Sequence, residues 1–291
     1  MRRLLACLLL AILLLAAFVI AGWHEATRVP VVVRYDVAVP KWPVGQAPLR
    51  IVQLSDTHAG LPDMPIDRLY AIIAQANALK PDLIVLTGDY QGEKLFVSTP
   101  TNLDKVVKPF RALRSRLGTF AVRGNHDDAF WSPIVLPRYR MTYLRNRWAD
   151  AGPIIIAGVD DLTTGSPNVA AALAGIPPGK PVILLMHEPD NFVQVPASVA
   201  LTLAGHTHGG QMSWPLIGAP WIGTEFGREH RRGLFVEGGR RLIVSSGVGT
   251  TTVPIRLGVP PEIVLITLHG WSLTRSAGSP GPTDNARRYR N

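Results

Sequence analysis

The chain has a single cysteine, Cys7, which excludes an internal disulfide framework and any zinc site built on paired thiolates. Lysine is also scarce, with 6 Lys against 24 Arg. Charged residues of both signs make up only 18% of the 291 positions, and no repeat of fixed period runs through them. Those shortages exclude a charge-rich disordered chain and a solenoid. Apolar residues are plentiful, at 47%. Lys and Arg outnumber Asp and Glu by 30 to 21, a formal net charge of +9. A basic surplus admits anionic partners (phosphates, acidic lipid or nucleic acid) without choosing among them.

The amino terminus reads as a membrane segment. Leu4 to Gly22 is 19 residues without a charge, preceded by Arg2 and Arg3. A helix crosses a bilayer core with roughly 20 apolar residues, so this run is long enough. It is longer than the apolar stretch of a secretory signal peptide, which favours a retained anchor over positions 1–28. Arg2, Arg3 and the α-amino group lie before the span, and Arg28 and Arg34 after it. The positive-inside rule then predicts a single-pass protein of the cytoplasmic membrane with its body on the external face.

Positions 29–47 contain prolines and show no clear period, and read as a linker. From Leu49 onward, short apolar runs alternate with helical spacing. The runs are Leu49–Leu54, Asp82–Leu86, Thr119–Val122, Ile154–Val159, Val182–Met186, Leu201–Ala204, Leu242–Ser245 and Ile263–Leu268. Helical spacing appears over Ile66–Ala76 and Leu103–Leu113. This alternation predicts one α/β domain with buried strands over 48–270, whose last strands form hairpins. Positions 271–291, rich in Gly, Pro and Ser and then basic, read as a disordered tail.

Five of these runs end in clusters of metal-ligand type: Asp56-Thr57-His58, Gly88-Asp89, Gly124-Asn125-His126-Asp127, His187-Glu188 and Gly205-His206-Thr207-His208. Five of the eight histidines fall there. In open α/β sheets ligands bind at the carboxyl ends of strands, so the clusters predict one site. Carboxylate, amide oxygen and imidazole donors without thiolate suit Zn, Mn or Fe.

In this order the motifs resemble the calcineurin-like metallophosphoesterases, specifically their bacterial membrane-anchored branch, over about 50–268. The resemblance implies a sandwich of two packed sheets flanked by helices, and two metal ions. It implies Asp56, His58, Asp89 and His208 on the first ion, and Asp89, Asn125, His187 and His206 on the second, with Asp89 shared. It further implies direct hydrolysis of a phosphodiester or phosphomonoester by a hydroxide between the ions. His126 is then free to protonate the leaving oxygen. One departure stands out: many relatives carry an acid three positions after the shared Asp, where this chain has Gly92 followed by Glu93. Asp127 or Glu93 must then orient His126, and the catalytic pair is read as His126 and Asp127.

For substrate, the branch implies general phosphoesters or, alternatively, UDP-2,3-diacylglucosamine, whose pyrophosphate is cleaved in lipid A synthesis. An apolar stretch after the last ligand, with Trp214, Leu216, Ile217, Trp221, Ile222 and Phe226, is a candidate lip for acyl groups. A nuclease is a lesser alternative, because arginine is dispersed and no aromatic-interleaved basic stripe is present. A metal-binding membrane protein without activity is another, opposed by the intact ligand set.

Overall fold

In this computed structural model, the structure describes residues 1–95, 102–213, 218–219, 224 and 229–271. The candidate lip residues Trp214, Leu216, Ile217, Trp221, Ile222 and Phe226 lie outside that set, as does the tail from 272. Helix α1 (Arg2–Thr27) is long and apolar enough to cross a membrane. Its outer turns are exposed, while Gly22 and Ala26 near its end are buried.

Two six-stranded sheets follow. The first has the order β1 (Val31–Val39), β12 (Glu262–Gly270), β2 (Leu49–Leu54), β3 (Leu83–Thr87), β4 (Thr119–Val122) and β5 (Met141–Tyr143). The second has the order β10 (Gly233–Glu237), β11 (Arg240–Val244), β9 (Leu201–Ala204), β8 (Val182–Leu185), β7 (Ile155–Gly158) and β6 (Arg147–Asp150). Strands β2 to β5 are parallel, as are β7, β8, β9 and β11. Alternation along each strand divides its residues between two faces. Leu49, Ile51, Leu83, Val85, Ile183, Leu185, Leu201 and Leu203 meet in one core between the sheets. Val52, Leu54, Ile84 and Leu86 turn outward to pack against α2 (Ile66–Ala78) and α3 (Leu103–Val107). Leu184, Met186 and Val244 pack beneath α5 (Val169–Leu173) on the other side. The short α4 (Ser132–Arg138) lies against β5.

Two readings of the sequence are corrected. The stretch read as a linker, 29–47, contains β1, a nine-residue edge strand paired in parallel with β12. It escapes periodicity because as an edge strand it buries only Val37 and Val39. The last strands do not all form hairpins. Strand β11 pairs with β10 through the turn at Gly238-Gly239, but β12 crosses to the other sheet between β1 and β2.

Candidate metal centre

Every predicted site residue follows the carboxyl end of a parallel strand. Asp56 and His58 follow β2, Asp89 follows β3, and Asn125, His126 and Asp127 follow β4. His187 follows β8, and His206 and His208 follow β9. The carboxylates and the amide thus come from one sheet, and His187, His206 and His208 from the other. Asp56, His58, Asp89, His206 and His208 all take left-handed backbone conformations, with φ between 40° and 68°. That region costs a non-glycine residue about 1–3 kcal/mol and persists where surrounding structure enforces it, most often at functional sites.

These turns bring the side chains into two groups. Asp56, His58 and His208 form one and Asp89, His187 and His206 the other, with the donor atoms of each within 4.8 Å of one another. His58 Nε2 lies 3.1 Å from His208 Nε2. Asn125 Oδ1 lies 3.0 Å from both His187 Nε2 and His206 Nδ1. Asp89 Oδ2 stands between the groups, 3.3 Å from His58 Nε2 and 3.2 Å from His187 Nε2.

The donor chemistry fits metal binding. The Nδ1–H of His187 donates to the Thr87 carbonyl at 2.8 Å, and that of His58 to the Gln91 carbonyl at 3.1 Å. A backbone carbonyl can only accept, so both rings keep their protons on Nδ1 and turn the Nε2 lone pair inward, the usual outer support of a ligating histidine. Burial lowers His58 to about 4 and also lowers His206 and His208, which favours neutral imidazole. Burial pushes the Asp56 carboxyl up to about 6; the His187 charge pulls it down and the Asp89 charge adds to the rise. Burial also works against ionised Asp89, but its pairing with the His187 and His58 rings outweighs it and holds this carboxyl well below its ordinary value, while the same carboxylate pulls His187 well above its own against burial; a cation bound between them would displace the His187 proton and leave that ring neutral. Two buried carboxylates this close leave a negative charge suited to a cation.

His126 sits beside these groups, partly exposed, with its ring 5.0 Å from that of His58. Glu93 Oε2 lies 3.4 Å from its Nδ1, so the residue next to Gly92 is the acid that faces it. A side chain at position 92 would bring Cβ within 2.5 Å of the His58 carbonyl, which leaves no room for an acid there. Asp127 is placed otherwise than read as a catalytic partner. Its Oδ1 accepts from the backbone N–H of Tyr90 and Gln91 at 2.8 and 3.2 Å, and its Oδ2 from Asp89 and Gly124 at 2.8 and 2.9 Å. It fastens the Asp89 turn to the β4 loop. Arg256, given no role by the sequence, is fully buried and donates to the carbonyls of Ser246, Gly249 and Val259. Its Nη2 packs 3.4 Å from His208 Nδ1. No local pattern signals this, because all its partners lie in an irregular loop.

Known proteins match the sequence that builds this site. Residues 49–210, more than half of the chain, match the model of the calcineurin-like phosphoesterase family. The uncharacterized metallophosphoesterase YkuE of Bacillus subtilis is 34% identical over 237 residues, covering 78% of this chain and 81% of that one. A bovine transmembrane protein with metallophosphoesterase domain is 31% identical, covering 89% of this chain and 62% of its own length. An uncharacterized metallophosphoesterase of Campylobacter jejuni, Cj0846, is 32% identical, covering 90% of this chain and 69% of that one. The chain belongs to the calcineurin-like phosphoesterases and is a metal-dependent hydrolase of phosphoesters.

Proposed function

We propose that the chain hydrolyses phosphodiester or phosphomonoester bonds at a two-metal centre. Asp56, His58, Asp89 and His208 would hold one ion, and Asp89, Asn125, His187 and His206 the other. The observation that carries this is Asp89 Oδ2, within 3.3 Å of one imidazole from each group. A pair of Zn, Mn or Fe ions held there would supply Lewis acidity to the phosphoryl oxygens and lower the pKa of water enough to provide hydroxide near neutral pH. His126, reaching the open side of the site, gives its proton to the leaving oxygen. Glu93 orients the His126 ring, and Asp127 keeps Asp89 in place through the backbone. No side-chain nucleophile takes part, so water enters the product directly. The arginines before the span favour an external catalytic domain on a cytoplasmic membrane.

The test is hydrolysis by the full chain in detergent after chelation, with Mn, Zn or Fe restored singly. Bis-p-nitrophenyl phosphate, p-nitrophenyl phosphate and UDP-2,3-diacylglucosamine run side by side. Metal-dependent turnover that is lost in Asp89→Asn supports the reading. Turnover that survives both chelation and Asp89→Asn refutes it. Preference for the third substrate would select the lipid A reaction over a general phosphoesterase.

A further inference from the structure

The end of α1 is fitted to the catalytic domain. A Cβ on Gly22 would lie 2.9 Å from Cβ of Ile255, so only glycine admits this approach. The Gly22 carbonyl accepts the Arg256 N–H at 2.9 Å. Arg68 Nη2 donates to the carbonyls of Ala26 and Arg28 at 2.8 and 3.2 Å. From its contact with Gly22, Arg256 extends its guanidinium to His208. One arginine side chain therefore separates the apolar helix from a proposed ligand.

Topology fixes which end of the domain this is. Strand β1 begins at Val31, shortly after α1 ends at Thr27. It is parallel to β12, which is antiparallel to β2, with Val31 opposite Glu262 and Gln53 opposite Val264. The start of β1 therefore lies at the end of the sheet where β2 delivers Asp56 and His58. Residues 40–48 turn at the opposite end, roughly 30 Å away along a nine-residue strand. The uncharged stretch Leu4–Gly22 measures about 29 Å as a helix, close to a hydrocarbon core of about 30 Å. Gly22 then falls at the membrane surface, with Trp23 at the interfacial depth that tryptophan favours.

The cleft at His126 is lined by polar side chains, among them Gln91, Glu93, Asn125 and Asp128, and three exposed apolar side chains stand on the loops that carry the site residues. Leu61, Leu95 and Phe130 are 63%, 64% and 69% exposed. Leu61 lies between the His58 turn and Asp63, Leu95 follows Glu93 by two residues, and Phe130 follows His126 by four. The Leu95 N–H bonds the Thr252 carbonyl at 2.9 Å, in the loop that seats α1. Phe130 packs edge-on against the half-exposed Trp131. Exposed apolar side chains on the loops of a polar cleft, at the end of the domain where an apolar helix enters, suit a lipid surface.

We propose that the metal centre opens onto the lipid headgroup layer and that its substrate is a phosphoester borne there, which rests on the two-metal esterase reading above. The substrate reaches the site by diffusion within the membrane. In hydrolysis, water's oxygen bonds to phosphorus, the phosphorus–oxygen bond to the leaving group breaks, and that oxygen takes a proton.

The placement is tested on the full chain carrying Cys7→Ser. A fluorophore is attached at Leu95→Cys, Phe130→Cys or Val44→Cys, in phosphatidylcholine vesicles containing headgroup-nitroxide lipid. Positions 95 and 130 are expected to be quenched at least twofold more than position 44. Equal or reversed quenching overturns the placement. The substrate class is tested with phosphatidic acid and phosphatidylglycerol in vesicles, against soluble bis-p-nitrophenyl phosphate. The double variant Leu95→Ser/Phe130→Ser is expected to lower lipid hydrolysis at least tenfold and leave the soluble reaction within twofold. Turnover of the soluble diester with none on either lipid overturns the headgroup substrate, as does equal loss on both. An inactive chain with both metals bound refutes the esterase reading instead, and the quenching pattern still decides the placement.

Discussion

Asp127→Asn separates a scaffold role from a catalytic one. Each carboxylate oxygen of Asp127 accepts two backbone N–H groups. An asparagine at this position keeps one oxygen and puts an NH₂ group against the other two donors. Two hydrogen bonds to the carboxylate are lost in a buried site, at about 1.5–3 kcal/mol each, for a total of about 3–6 kcal/mol. In a domain of this size 1 kcal/mol shifts the midpoint by about 2–4 °C, so the variant should unfold roughly 10 °C below the parent. The assay is thermal unfolding of the full chain in detergent, followed by tryptophan fluorescence at fixed metal concentration, beside metal content by mass spectrometry. The turn carrying Asp89 is expected to loosen, so bound metal should fall as well. An Asn variant that melts with the parent, keeps its metal and loses turnover 10²-fold would refute this reasoning and restore Asp127 as a catalytic group.

Other outcomes follow from the same structure. His126→Ala should lower turnover by about 10²–10⁴-fold with metal content unchanged, the usual contribution of a general acid; loss of metal would instead make His126 a ligand. Glu93→Gln should lower turnover less than His126→Ala does with metal content unchanged, and turnover equal to the parent's would remove Glu93 from that role. Lys94 is buried 3.2 Å from Asp63, and burial lowers it from 10.5 to about 8 against the pull of that carboxylate. Between those two values the folded chain binds fewer protons than the unfolded chain, so the Lys94 contribution to stability rises with pH from about 8 to 10.5 and is flat below. Melting temperatures of the parent minus those of Lys94→Met should show that slope; a falling difference would contradict it. Arg256→Lys cannot reach three separate carbonyls and should lower stability by about 1–3 kcal/mol, read as denaturant midpoint, with wild-type stability as the opposing result.

Helix α2 and eight of the strands were legible because each buries at least one face continuously, and apolar spacing records burial directly; the helical spacing over Leu103–Leu113 resolves into the short α3 and a 3-10 segment over Lys108–Ala112. The ligand set was legible because a parallel sheet lines up its strand ends, so residues far apart in sequence arrive together without any pairwise signal. What stayed hidden depends on contacts across the chain. Strand β1 is an edge, so its exposed Arg34 and Asp36 interrupt the apolar pattern. The approach of Glu93 to His126, and the turn of Asp127 toward the backbone, depend on how the β3 and β4 loops pack together. The seating of Gly22 on Ile255 joins positions more than two hundred residues apart, and a glycine at the end of an apolar run gives no local sign of a partner.

The division of ligands between the sheets has a consequence for how the molecule could be cut. Asp56, His58, Asp89 and Asn125 lie before the exposed residues 162–164, and His187, His206 and His208 lie after them. Two polypeptides divided there would each hold an incomplete coordination set and strands of both sheets, since β6 and β7 precede the cut and β12 follows it. Neither fragment would bind ions as the intact chain does. Mixing them would make metal uptake a direct report of reassembly, and the ions would act as removable cross-links between the two halves.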